Sequence, residues 1–351
     1  MKKRFLGVAL VAALAVVGLS SCDESAQLVD ENGDTYTVEK TTDSAEVYKV
    51  MKSLSNVETD ETLEKMQATV ELDSDVYEKD STGTKVAWYD VDLEATAAFA
   101  FNDATFTTAT YEDVETIYDT FTTQLAKTTA YASIDLDADF KDTETAGTVD
   151  VEATLYKNTY TLNNKEVEGL FGSVEEFTVT GDAATSAEKA STIVNLAPDF
   201  YVPASLLVTS VFEAYLYNNV LANVQEITPS FKTYIELEGG IDNLTEEDLE
   251  HVAITAVSSN SVTFTIAMEN SFEVYDYNAD GALSFTINTK TGFLTKLSLT
   301  ANNFESSTTQ NTLDGSTLEA SVKFKYNDNV KIKSVAKADY VDLSSIAALF
   351  A

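Results

Sequence analysis

Residues 85–101 read "KVAWYDVDLEATAAFAF", and the fold class turns on their period. Ala87, Tyr89, Val91, Leu93, Ala95, Ala97 and Phe99 recur at every second position, with Asp90, Asp92 and Glu94 between them. A period of two fits an extended chain, whose successive side chains point to opposite faces. One apolar and one acidic face is the pattern of an antiparallel strand that covers a core on one side and meets water on the other.

The pattern repeats along the chain. "YASIDLDADF" sets Ile134, Leu136, Ala138 and Phe140 against Ser133, Asp135, Asp137 and Asp139. "TVDVEATLY", "SFTINTK", "TLEASVKFKY" and "NVKIKSV" alternate in the same way, so ten to twelve mostly antiparallel strands are expected after residue 67.

Helical spacing interrupts this. Val47, Val50, Met51, Leu54 and Val57 predict a helix over 44–57, with another turn or two through "TDETLEKM". "TYEDVETIYDTFTTQLA" opens on a Thr110-x-x-Asp113 capping pattern and lines up Val114, Ile117, Tyr118, Phe121 and Leu125. Residues 183–224 form a longer helical region. Its second half, "PASLLVTSVFEAYLYNNVLANV" from Pro203, is apolar nearly all round and is expected to be buried. "LTEEDLEHV" carries a short turn capped by Thr245 and Asp248, and "LSSIAALF" is a candidate C-terminal helix. The fold class read from this order is α+β. Residues 43–351 are expected to form a single β-rich domain, a large curved antiparallel sheet or half-open barrel with helices on its concave face.

The N-terminus carries a different message. In "MKKRFLGVALVAALAVVGLSSC", Lys2, Lys3 and Arg4 precede an apolar run from Phe5 to Val17, and small residues lead to Cys22. This is the layout of a secretory signal over residues 1–21, too short for a membrane-spanning helix. Leu19-Ser20-Ser21-Cys22 resembles the bacterial lipobox. The resemblance implies cleavage before Cys22 and a thioether-linked diacylglycerol on its sulfur. The protein is then expected to be exported and held at a bacterial membrane, with acyl chains supplying the anchor. Residues 22–42, polar and acidic, read as a flexible tether.

Loss of Lys2, Lys3 and Arg4 with the signal takes the formal net charge from −36 to −39. Such a surface repels polyanions and excludes a nucleic-acid role. Arg4 is the only arginine, so bidentate phosphate clamps are also excluded. Hydrophobic residues make up 44 % of the chain, which argues for a folded core despite the charge.

The overall order of helix, strands, helices and strands resembles the LolA/LppX-type carriers of lipids and lipoproteins. "SFTINTKTGFLTKLSLTANNF" (residues 284–304) is similar to their strand–turn–strand pattern around a Thr-Gly turn. The resemblance implies a half-open barrel plugged by mid-chain helices, with an apolar or amphipathic ligand between them. Phe212, Tyr215, Leu216, Tyr89 and Phe99 are the candidate lining residues. The competing expectation is a structural or adhesive surface protein whose acidic face answers to divalent cations.

Three constellations bear on chemistry. Asp276-x-Asn278-x-Asp280-Gly281 matches the first half of a calcium EF-hand loop, but its twelfth position is Ile287 where a bidentate Glu is needed. A hairpin turn at Asn278–Gly281 is the expected use of those residues. The carboxylates of different strands are expected to be staggered or screened, because like charges directly opposite destabilise a strand pair. Lys323, Lys325, Lys331 and Lys333 form the one basic patch, suited to anionic lipid headgroups or to neighbouring carboxylates. Catalysis gets little support: His251 is the only histidine, the usual zinc ligands are lacking, and no nucleophile elbow or phosphate loop occurs. No cofactor is expected beyond the lipid on Cys22, and no enzymatic activity.

Overall fold

The computed structural model describes residues 25–30, 32–57, 63–110, 114–141, 145–162, 165–181, 183–226, 230–232, 240–274, 277–306, 313, 315–332 and 340–343. In chain order the elements are β1 (Ala26–Val29), β2 (Thr35–Val38), α1 (Ser44–Ser55), β3 (Lys65–Lys79), β4 (Lys85–Ala100), α2 (Val114–Lys127) and β5 (Thr129–Lys141). There follow β6 (Ala146–Leu162), β7 (Lys165–Val179), α3 (Ala183–Leu196), β8 (Asp199–Pro203), α4 (Ala204–Leu207) and α5 (Val211–Glu226). The chain ends with β9 (Val252–Ser258), β10 (Ser261–Val274), β11 (Tyr277–Asn288), β12 (Leu294–Ser306), β13 (Thr317–Tyr326) and β14 (Val341–Asp342).

The fold is α+β. Among the described residues, twelve strands join in one sheet of order β14-β8-β7-β6-β5-β4-β3-β13-β12-β11-β10-β9, and β1–β2 form a separate hairpin. Among the described residues β9 and β14 end the ladder. Neighbours from β5 to β8 and from β9 to β13 run antiparallel, while β14 adds to β8 in parallel through two residues. One domain was expected over 43–351. The chain divides into two compact units: Met1–Glu61, Glu71–Asp90 and Thr228–Phe324 in the first, Thr62–Val70, Val91–Ile227 and Lys325–Ala351 in the second.

In the first unit α1 forms as expected. Asp43 caps it, its carboxylate accepting from the Ala45 and Glu46 amides. The helix buries Val47, Val50, Met51 and Leu54 against Val252, Ile254, Val262, Phe264 and Ile287. Of the continuation through "TDETLEKM", residues 59–62 lie outside the described residues, and β3 starts at Lys65. Residues 25–42 correct the flexible tether. β1 and β2 pair, and Ala26, Leu28 and Val38 enter the same core. Asp30 organises the turn by accepting from the Asn32 and Asp34 amides. Thr41 then exchanges backbone hydrogen bonds with Ile254.

The face of β9–β11 away from this core is a ladder of hydroxyls. Thr255 bonds Thr265 at 2.7 Å, Thr265 bonds Ser284 at 2.8 Å and Thr263 bonds Thr286 at 2.9 Å. β11 and β12 are joined by the turn at Thr291-Gly292, where Gly292 has φ 68°.

In the second unit the hairpins β5–β6–β7 carry β8, which β14 joins through two residues. Gly172 lets the Phe200 ring lie on β7, since a Cβ there would sit 2.1 Å from the ring carbon Cζ. Phe171, Tyr201, Tyr160 and Tyr340 cluster beside it, with the Phe171 and Tyr201 rings 4.9 Å apart.

Candidate functional site

The second unit holds a cavity of about 170 Å³, lined by Phe99, Ala100, Phe101, Leu125, Thr128, Ala130, Lys157 and Leu221. β4 delivers the three residues at its end, α2 and the turn after it deliver Leu125 and Thr128, β5 and β6 give Ala130 and Lys157, and α5 closes the site with Leu221.

Local sequence explains each wall. α2 buries Ile117 and Phe121, and Phe121 lies 5.9 Å from the ring of Phe106 in the irregular segment after β4. Phe101 meets Phe106 edge-on at 6.4 Å. That segment is held by two asparagines of α5. Asn218 Nδ2 donates to the Thr107 carbonyl at 2.7 Å, and Asn219 Oδ1 accepts from the Ala109 amide at 2.8 Å. Among the described residues of α5, Ala214, Asn218 and Ala222, spaced by four, are the buried ones, with Tyr215 and Leu221 partly buried beside them.

This corrects the expectation of a helix from Pro203 that is buried all round. α4 lasts four residues, and α5 begins at Val211 behind a capping box. Ser210 Oγ accepts from the Glu213 amide, while the Glu213 carboxylate accepts from the amides of Thr209 and Ser210 and from the Thr209 hydroxyl. The bonds from Thr209, then those from Ser210, hold the Glu213 carboxyl below the usual range. Small inward residues leave the large ones outside: Phe212 is 55 % exposed, Val220 57 %, and Leu216 and Tyr217 nearly half.

Lys157 is the unexpected member. Only 6 % of it is exposed, yet all three ammonium hydrogens are placed. They go to the carbonyls of Leu125 (2.6 Å) and Thr128 (2.9 Å) and to Glu168 Oε1 (2.9 Å). The first two carbonyls end α2, so the cation meets the negative end of the helix and caps it. The Lys157–Glu168 pair offsets the cost of burying the charge.

Of the five candidate lining residues, Phe99 lines this cavity and Tyr215 packs among the residues around Phe121. Phe212 and Leu216 face outward, and Tyr89 belongs to the first unit, more than a third exposed. The five are not brought together. Ala100, Thr128, Ala130, Lys157 and Leu221 were not singled out by sequence. For Lys157 the signal was available, since it is the one charged residue between Ala153 and Leu162.

The calcium-loop positions resolve differently. Asn278, Asp280 and Gly281 lie inside β11, paired with β10 and β12, which also overturns the expected turn there. Asp276 lies outside the described residues, as do Cys22, Lys333 and residues 344–350. The expected stagger of carboxylates is also corrected. Asp135 stands opposite Glu152, which stands opposite Glu176, and Asp137 stands opposite Asp150. Their solvent-facing side makes the arrangement tolerable, because water and salt screen exposed charges. Lys323 pairs with Glu71, and that contact is the main cause of the lowered Glu71 pKa. His251 is exposed.

No family model and no curated protein matches the sequence. Among solved structures the chain is similar to the crystal structure of a β-barrel-like protein of a domain of unknown function from Brucella abortus. The identity is 7 %, covering 76 % of this chain and 99 % of that one, with a TM-score of 0.16.

Proposed function

We propose that the chain is a non-catalytic lipoprotein, held at a bacterial membrane surface through diacylglycerol on Cys22, whose second unit binds an apolar ligand. The observation that supports ligand binding is the cavity of about 170 Å³ between α2, α5 and the strands. Its size bounds the occupant. An apolar cavity of ~150 Å³ stays dry and takes benzene, whereas sites for drug-sized ligands run to ~300–1,000 Å³. The cavity therefore suits a ring or a short alkyl group, or the end of a longer lipid chain. Native mass spectrometry of the Cys22→Ser protein purified from cells tests this: an apolar adduct is expected, and it should vanish when Ala130→Leu fills the site. An adduct unaffected by that substitution removes the cavity from the proposal. Metabolic labelling with palmitate tests the anchor, and label retained by Cys22→Ser would sink it.

A further inference from the structure

Thr128 and Lys157 are the two residues of the cavity wall with polar side chains, and both have spent their donors inside the wall. The Thr128 hydroxyl donates to the Leu125 carbonyl at 2.8 Å. The Lys157 ammonium gives its three hydrogens to the Leu125 and Thr128 carbonyls and to Glu168. The remaining lining residues are Phe99, Ala100, Phe101, Leu125, Ala130 and Leu221, whose side chains offer no hydrogen bond.

An anionic head entering this space would leave its water and find no donor in exchange, an expensive transfer. To reach Lys157 it would have to displace Glu168, whose own carboxylate adds repulsion, or take a hydrogen from a carbonyl at the end of α2. An uncharged ring meets neither cost and gains by leaving water. We infer that the cavity of the second unit takes an uncharged, ring-sized apolar group and rejects a carboxylate of the same size. This rests on the ligand-binding reading proposed above, and it narrows the ligand to the apolar alternative.

Toluene and benzoate share one ring and differ in whether the substituent is charged, so they separate the two cases. Each is titrated at neutral pH into the mature Cys22→Ser chain while the amide signals of Ala130, Lys157 and Leu221 are followed by NMR. Toluene is expected to shift them saturably, and benzoate to bind at least tenfold more weakly. Ala130→Leu should abolish the toluene shifts. Leu221→Phe is a second filling variant, and unchanged signals from Phe171 and Tyr201, buried in the same unit outside the cavity wall, report that each variant has folded. Benzoate binding as tightly as toluene would overturn the inference and leave ligand binding intact. If neither probe binds, the ligand-binding reading falls and takes the inference with it.

Discussion

The two units set helices against antiparallel strands with different fillings. In the first, α1 turns its large residues inward. Leu54 and Val47 are fully buried with Phe264, Ile254 and Ile287, and the Phe264 and Phe285 rings stack at 5.0 Å. In the second, α5 turns Ala214, Asn218 and Ala222 inward and leaves Phe212, Leu216, Tyr217 and Val220 outside. Side-chain volume that would have filled the core stands in solvent, and a cavity of about 170 Å³ remains. The capacity to hold a ligand thus follows from which face of one helix carries its bulk. Overall hydrophobicity does not decide it.

The sharpest way to break this contrast is to truncate one aromatic in each unit. Phe264→Ala removes a fully buried ring from a filled core and should cost about 3–5 kcal/mol, by transfer and by the cavity left behind. Phe99→Ala enlarges an existing void around a partly exposed ring, and about 1–2 kcal/mol is expected from the smaller loss of contact. Urea denaturation of both variants measures the difference. Equal costs would mean that the cavity is collapsed in solution.

Lys157→Met comes next. It leaves the Leu125 and Thr128 carbonyls without this donor and strands Glu168. Breaking a fully buried pair costs ~3–5 kcal/mol, and because the Glu168 side chain is 30 % exposed about 2–3 kcal/mol is expected here. The same denaturation experiment reads it, and the double variant Lys157→Met/Glu168→Leu should recover part of the loss. No recovery would show that helix capping, and not the ion pair, dominates.

How much of this was legible depends on length and on competition. β4 was readable because its alternation is sustained, and α1 because Val47, Val50, Met51 and Leu54 share one face. The β1–β2 hairpin was hidden, since two four-residue strands are too short for a period to show. Its signal was Asn32-Gly33 between Leu28 and Tyr36, a pairing strongly associated with tight hairpins. For α5 the sequence could not choose. A helix apolar all round has no preferred side, and the choice falls to two asparagines that hold a loop 110 residues away in sequence. The turn expected at Asn278–Gly281 was misread because a strand absorbs Asp-x-Asn spacing as readily as a loop does. Lys157 stood out in sequence as the one charge between Ala153 and Leu162, but its burial rests on three partners that no local pattern announces.

A pH titration sharpens the comparison from the first unit. Burial, opposed by the Ser53 hydrogen bond, raises the pKa of Tyr36 above its ordinary value of 10.0. A raised folded pKa stabilises fully below the unfolded value and is lost as pH rises through the folded one. Stability should therefore decline above pH 10, and in Tyr36→Phe this part of the decline should be absent. Thermal unfolding of the two proteins between pH 9 and 11 decides. The loss should be smaller than that of Lys157→Met, because the phenol is only half-buried.

The smallest effect concerns the outer faces. The first unit lines its face with hydroxyls that bond in a row, which is neutral to salt. The second places Glu152 between Asp135 and Glu176, three carboxylates on adjacent strands. Like charges directly opposite oppose pairing, so Glu152→Gln should stabilise by about 0.2–1 kcal/mol at low ionic strength. The screening length falls from ~10 Å at 0.1 M salt to ~3 Å at 1 M, so the gain should shrink as sodium chloride is raised towards 1 M. Thr265→Val in the hydroxyl row should show no such salt dependence. A gain from Glu152→Gln that survives high salt would mean that the glutamate is disfavoured by its fit to the strand. The contrast between the two faces would then be one of packing, with charge playing little part.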